Sequence, residues 1–269
     1  MAIGLEQDSQ EVELILDAHR SFAGRMIGRA RRAAAVAAAC AILSSVAVAQ
    51  SSGRTAANAR THASAAAGSA GSIALSKTLG NKNAPITMEL FSDYQCPVCG
   101  DFFEKTLRPM INEYVAGGKV YLVHHDFPLQ KHAYSGQAAR WANAAAKIGK
   151  FQEVDAALYD SQAKWAIDAD IEKFVAGAMS ATDFKRVQAI MKTCTASAPT
   201  SMVGDAVPQV GRACLVDEYI VQDIVLGYQL PVKGTPTFVI HYKGQTYPAG
   251  TGIVTWPVLK QFFDSLLSQ

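Results

Sequence analysis

The sequence predicts an α/β fold in which two strand-bearing parts are separated by a run of helices. Three observations carry this. Residues 86–92 form a short β-forming run that leads into a C-x-x-C, after which apolar residues recur at helical spacing. Residues 131–194 show helical character in four segments. A proline-containing turn at residues 231–236 then runs into an apolar strand.

The composition permits such a fold. Of the 269 residues, 49% are apolar and 18% charged, which allows a buried core and excludes wholesale disorder. With 25 Lys+Arg against 23 Asp+Glu, the net charge of +2 argues against a nucleic-acid binder. No series of long apolar segments is present, which excludes a multi-span transporter or channel.

The first 49 residues read as an export segment. Arg25, Arg29, Arg31 and Arg32 precede an apolar run from residue 33 to residue 49 that ends Ala47-Val48-Ala49-Gln50. This is a charged region, an apolar region and an A-x-A cleavage site in order, with the cut expected between Ala49 and Gln50. Met26 lies just ahead of most of the positive cluster, so residues 1–25 read as an extension. The alternative is a retained anchor, but a helix over this run rises only about 25 Å, short for a span. Residues 50–72, rich in Ser, Ala, Gly, Thr and Asn, read as a flexible tether, and the folded domain is expected at residues 73–269.

Within that domain, Asn83-Ala84-Pro85 introduces a buried strand over residues 86–92. From Pro97 a helix begins, with Phe102, Phe103, Leu107 and Met110 on its apolar stripe. Pro97 sits in the first turn, where a missing N–H costs nothing. Residues 119–125 form the next strand and run into Asp126-Phe127-Pro128-Leu129. Helices follow over 137–147, 151–159, 171–179, 183–191 and 211–227, with Trp141 and Trp165 expected in the core. Residues 237–240 and 242–247 make two strands around a Lys243-Gly244 turn. A closing helix over 255–267 has Thr255 as candidate N-cap and Pro257 in its first turn.

Five cysteines are present, and Cys40 falls within the export segment. The remaining even count, in an exported chain, points to two disulfides. Cys96 and Cys99 of Cys96-Pro97-Val98-Cys99 pair readily with each other, which leaves Cys194 with Cys214. Half a zinc site and a purely structural bridge are the competing readings of the C-x-x-C. A four-cysteine zinc site would normally show a second close pair, and Cys194 and Cys214 are too far apart to be one, so no metal is expected.

Cys96 lies at a helix N-terminus, where free N–H groups and the helix dipole favour thiolate over thiol. This predicts an exposed attacking sulfur on Cys96 and a shielded, resolving sulfur on Cys99. Val98 has no charge or side-chain donor, so tuning must come from the helix end and neighbouring N–H groups.

Taken together, Phe91-Ser92-Asp93-Tyr94-Gln95-Cys96-Pro97-Val98-Cys99, Asp126-Phe127-Pro128-Leu129 and Gly234-Thr235-Pro236-Thr237-Phe238 resemble the DsbA-like thiol–disulfide oxidoreductases over about residues 73–269. The resemblance implies a thioredoxin-like fold with a helical domain inserted at about residues 130–228. It implies that Cys96 is the nucleophile and Cys99 the resolving cysteine. Thr235 and Pro236, joined by a cis bond, would face them and bind substrate peptide. Cys194–Cys214 would be a non-catalytic bridge, with a second redox pair relaying electrons as the alternative. The chain departs from the family pattern twice. The more strongly oxidising members often have His at the position of Val98. Members often bear a buried proton-relaying acid where this chain has Leu90, and Glu89, one residue earlier, faces the other way on a strand.

The implied activity is cofactor-free oxidation of unfolded or reduced exported proteins in the periplasm or another extracytoplasmic compartment. Reoxidation would fall to a membrane quinone-linked thiol oxidase. A reductase or isomerase using the same site is the alternative. A chaperone-like peptide-binding module is the alternative of another class. Nucleic acid is not an expected partner.

Overall fold

The structure, a computed structural model, describes residues 77–194, 198–200, 214–230 and 232–269. The export segment, the cut at Ala49, Cys40 and the tether lie outside the described residues, as do residues 211–213 and 231.

Five strands make one mixed sheet in the order β1-β3-β2-β4-β5: β1 (Thr78–Leu79), β2 (Ile86–Ser92), β3 (Val120–Asp126), β4 (Thr237–Tyr242) and β5 (Gln245–Thr251). β2 is central, parallel to β3 and antiparallel to β4. Ile86, Met88, Leu90 and Phe91 on it are all buried, as an interior strand requires. A two-residue strand, β1, was not foreseen; it is too short to carry a hydrophobic period. Between β4 and β5, Lys243 and Gly244 both have positive φ (47° and 76°), as a two-residue hairpin turn demands.

The helix after the C-x-x-C begins as α1 (Pro97–Phe102), widens into a π-helical turn (Phe103–Leu107), resumes as α2 (Arg108–Met110) and widens again (Ile111–Val115). Pro109 is the physical reason in the sequence, because it supplies no N–H to the ladder. The expected even spacing therefore holds only in part, yet Phe102, Phe103, Leu107 and Met110 are all buried.

Between β3 and β4 lie α3 (Ser135–Ala146), α4 (Phe151–Asp160), α5 (Gln162–Asp168), α6 (Ile171–Gly177), α7 (Ala181–Met191) and α8 (Asp217–Gln229). The Ala-rich α3 is buried along nearly its whole length. α5 escaped the sequence reading, although its Trp165 is fully buried as expected and donates to the Leu158 carbonyl at 2.7 Å. α8 packs so closely on the end of β3 that a Cβ on Gly227 would come within 2.5 Å of the Phe127 ring. The closing helix is α9 (Trp256–Leu267); Thr255 occupies its N-cap position but makes no side-chain cap bond there.

A line of buried charges crosses the sheet. Lys77 Nζ contacts Asp126 and Asp223 carboxylates, each at 2.5 Å. Asp223 also meets His125 Nδ1 at 2.8 Å, and His125 Nε2 lies 3.4 Å from Glu89. Burial disfavours the imidazolium of His125, but the Asp223 and Glu89 carboxylates outweigh it and push the pKa up to about 9. Glu89 thus belongs to a histidine pair, His125 and His241, and its contacts are with those two side chains.

Candidate active site

β2 and β4 bring the two ends of the site together. Phe91 stands opposite Thr237 in their register, so the chain leaving β2 toward Cys96 and the turn entering β4 through Pro236 share one edge of the sheet. Ser92 and Thr237 are both buried at that edge.

Cys96 is the N-cap residue of α1, with extended backbone (φ −71°, ψ 119°), and Pro97 occupies the first helical position. The N–H groups of Cys99 and Gly100 donate to the Cys96 carbonyl at 3.0 and 3.1 Å. Both Cys96 and Cys99 carry free thiols. The expected contrast in exposure is smaller than foreseen: Cys96 is 4% exposed and Cys99 1%. Cys96 is covered because the Thr235–Pro236 turn, whose peptide bond is cis, lies over it, and Cys96 Sγ donates to the Thr235 carbonyl at 3.5 Å. The accessible rim is instead Pro97 and Val98, the latter 38% exposed.

The two sulfurs are driven apart electrostatically. The Cys99 thiol hydrogen-bonds Cys96, and this is the main reason the Cys96 pKa falls to about 5. Burial opposes the shift, the Cys99 backbone N–H adds to it, and the nearby Asp93 carboxylate works against it. Burial pushes the Cys99 thiol well up, and the thiolate on Cys96 adds to that. Tuning thus comes from Cys99 and backbone, with Val98 contributing no polar group. Alkylation of the reduced protein by iodoacetamide should therefore show one fast-reacting cysteine, Cys96, with a midpoint near pH 5. A midpoint near that of a free thiol, about 8.5, would contradict this electrostatic arrangement.

Several residues that shape the site were not singled out from sequence. Asp93 is buried and organises the approach to Cys96. Its Oδ1 accepts from Gln95 N at 2.8 Å, and its Oδ2 accepts from Leu129 N at 2.8 Å and meets His132 Nδ1 at 2.7 Å. An Asp three residues before Cys96 that bonds the N–H two residues on is a local turn signal that sequence does carry. The Asp93 carboxylate pushes the His132 pKa up. Gln162, on the unforeseen α5, donates from Nε2 to the carbonyls of Tyr94 (2.6 Å) and Cys96 (2.9 Å). Nothing local in the sequence marks Gln162.

Cys194 and Cys214 are disulfide-bonded and join the end of α7 to the start of α8. Neither is among the main groups that shift the Cys96 or Cys99 thiol. Among the described residues no group of three or more His, Cys, Asp or Glu is placed to hold a metal ion.

Comparison with known proteins fits this geometry. The family model described as thioredoxin matches residues 75–247. Solved structures share the fold: α-DsbA1 of Wolbachia pipientis is 18% identical with a TM-score of 0.52, covering 71% of this chain and 90% of that one. A thioredoxin-like oxidoreductase from Silicibacter pomeroyi is 24% identical (TM-score 0.52; 71% and 92%). The catalytic domain of ScsC from Proteus mirabilis is 20% identical (TM-score 0.51; 76% and 98%). The fold class read from sequence, thioredoxin-like with a helical insertion, is the one observed. A curated relative, a Na(+)/H(+) antiporter from Salinispora tropica, is 36% identical over 76 residues, 28% of this chain. The chain spans only 11% of that antiporter's length, and no helix among the described residues is long and apolar enough to cross a membrane.

Proposed function

Because the chain belongs to the thioredoxin family and has the DsbA-like form of its fold, we propose that it introduces disulfides into exported proteins by dithiol–disulfide exchange through Cys96 and Cys99. The observation that carries this reading is the split between the two sulfurs, with Cys96 down at about 5 and Cys99 pushed up. A thiolate held at Cys96 stabilises the reduced pair, which makes the Cys96–Cys99 disulfide the stronger oxidant.

In this reading a substrate thiolate attacks Cys96 in the disulfide form of the enzyme. The Cys96–Cys99 bond breaks, its electron pair goes to Cys99, and a mixed disulfide joins Cys96 to the substrate. A second substrate thiolate attacks the substrate sulfur of that bond, leaving an oxidised substrate and Cys96 as thiolate. Pro97 and Val98 set the rim that the substrate first meets. The cis Thr235–Pro236 turn presents a backbone edge on which a substrate peptide can add as a strand. The Cys194–Cys214 bridge is a structural element that ties α7 to α8. The net cycle leaves the enzyme as dithiol, so a membrane quinone-linked thiol oxidase is its expected regenerating partner. The site of action is the periplasm or another extracytoplasmic compartment, reached through cleavage near Ala49 or with residues 33–49 kept as an anchor facing the same compartment.

The deciding measurement is the reduction potential of the pair, equilibrated in glutathione buffers, acid-trapped and read by mass. A value near that of strong oxidants, about −120 mV, is the expected result. A value near that of thioredoxin, about −270 mV, would overturn the oxidase direction and favour a reductase.

A further inference from the structure

The segment that carries Cys96 is tied to the helical insertion by two glutamines, one from each side. Gln162, the first residue of α5, donates from Nε2 to the Tyr94 carbonyl at 2.6 Å and to the Cys96 carbonyl at 2.9 Å. Gln95 reaches the other way. Its Nε2 donates to the Ala166 carbonyl on the same helix at 3.1 Å, and its Oε1 accepts from the N–H of Tyr134, the N-cap residue of α3, at 2.6 Å.

The first turn of α1 is shaped to admit the Gln162 amide. The Cys96 carbonyl accepts from the Cys99 and Gly100 N–H groups, and Gln162 joins these two backbone donors there. Gly100 lies in the same turn. A Cβ on it would come within 2.6 Å of Gln162 Oε1 and 3.1 Å of Gln162 Cδ, so any larger residue at position 100 must push the amide out of its place. Glycine inside a helix is unfavourable relative to alanine. Here it leaves the space that the amide occupies.

We infer that Gln162, admitted by Gly100, is a positioning residue of the exchange reaction: it fixes the turn that holds Cys96, and through it the helical insertion sets how strongly the Cys96–Cys99 pair oxidises. The inference rests on the reading of Cys96 as the attacking sulfur.

A thiolate at a helix N-terminus is stabilised only as far as the free N–H groups of that end are held toward it. Alone, α1 is poorly built for this. It has six residues, begins with a proline that brings no N–H, has no side-chain cap bond and gives way to a π-helical turn at Phe103. The Gln162 amide supplies the missing order from outside the helix. Both cysteines are free thiols in this structure, so the clamp belongs to the dithiol form. A disulfide has no charge to stabilise, so loosening the turn costs the dithiol form more than the disulfide form. The titratable groups that face Cys96 are Cys99 from α1, Asp93 from the loop after β2 and His132 from the loop after β3. All three are retained in the variants below.

The test is the equilibrium with glutathione, in which protein dithiol and one oxidised glutathione give protein disulfide and two reduced glutathiones. Gln162→Met keeps the length of the side chain and removes the donor. It should shift the equilibrium toward the protein disulfide by about fivefold or more, equal to about 20 mV, and raise the pH midpoint of Cys96 alkylation. Gly100→Ala leaves Gln162 in the chain and should shift both in the same direction, although alanine for glycine within a helix ordinarily stabilises. The double variant should shift no further than Gln162→Met alone, because no amide is left to displace. Denaturant unfolding of both redox forms is the control. A merely structural role for Gln162 would lower the stability of the dithiol and disulfide forms equally and leave the equilibrium in place. An equilibrium constant within about twofold of the unmodified protein in both single variants would overturn the proposal. So would effects of the two substitutions that add in full. Should Gln162→Met fail to fold, Gly100→Ala decides. An unmodified protein whose Cys96 titrates like a free thiol would overturn the reading of Cys96 and the proposal with it, whereas unshifted variants beside a low-titrating unmodified protein overturn the proposal alone.

Discussion

Replacing Cys96 by serine should reduce thiol–disulfide exchange to the uncatalysed level, a loss of at least about a thousandfold in turnover. Cys99 is the only other free thiol among the described residues, and it is both more buried and pushed up in pKa, so it can neither meet a substrate nor present a thiolate at neutral pH. Serine at position 96 keeps the N-cap geometry and has nearly the volume of cysteine, so the fold and the affinity for an unfolded peptide should stay within about twofold of the parent. The assay is oxidation of a dithiol peptide, with peptide binding measured on the same sample. Retained oxidation in Cys96→Ser would remove the catalytic assignment. Loss of both oxidation and binding, with the fold intact, would show that the sulfur also serves the peptide groove.

The residues of the site divide by how their positions are specified. Cys96, Cys99 and Pro97 are legible because local backbone chemistry fixes them: a strand, a turn, and a helix start that tolerates proline. Thr235 and Pro236 are legible only because the C-x-x-C and a distant Thr-Pro occur together; nothing near either one shows that β2 and β4 are neighbours. Gln162 was not legible at all. It reaches the site from the insertion, where its role depends on how α5 docks, a tertiary fact without a sequence period. The near-equal burial of the two sulfurs has the same origin, because the cover over Cys96 comes from residue 235 and not from its own helix. The π-helical turns around Pro109 show the converse case, a local cause that was present in the sequence but not drawn out.

The same tertiary dependence makes Lys77 the residue whose loss should cost the fold most. Lys77→Met should destabilise the protein by about 3–5 kcal/mol, because it leaves two buried carboxylates without their shared cation. Lys77 is 1% exposed, and its Nζ is the common partner of Asp126 and Asp223. Each acid keeps a second partner, Asn143 Nδ2 at 2.6 Å from Asp126 and His125 Nδ1 at 2.8 Å from Asp223, but Asn143 brings no charge. The pH dependence follows from the signs. Burial works against the Asp126 carboxylate, but Lys77 and His124 hold it well below the usual range, so its contribution is present above about pH 4 and is lost as pH falls further. Lys77 is raised by Asp126 and Asp223 against its burial, so its contribution is present below about pH 10 and is lost as pH rises through its folded value. The deficit of Lys77→Met should therefore be a plateau from about pH 4 to about pH 10 that narrows at both ends. Denaturant unfolding of the oxidised protein, in which Cys96 and Cys99 do not titrate, measures it directly. Neutralising one acid as well, in Lys77→Met with Asp126→Asn, should recover part of the loss, since one fewer bare carboxylate remains buried. A deficit below about 1 kcal/mol at pH 7 would mean that water reaches this cluster and that the charges beneath the site are not held dry.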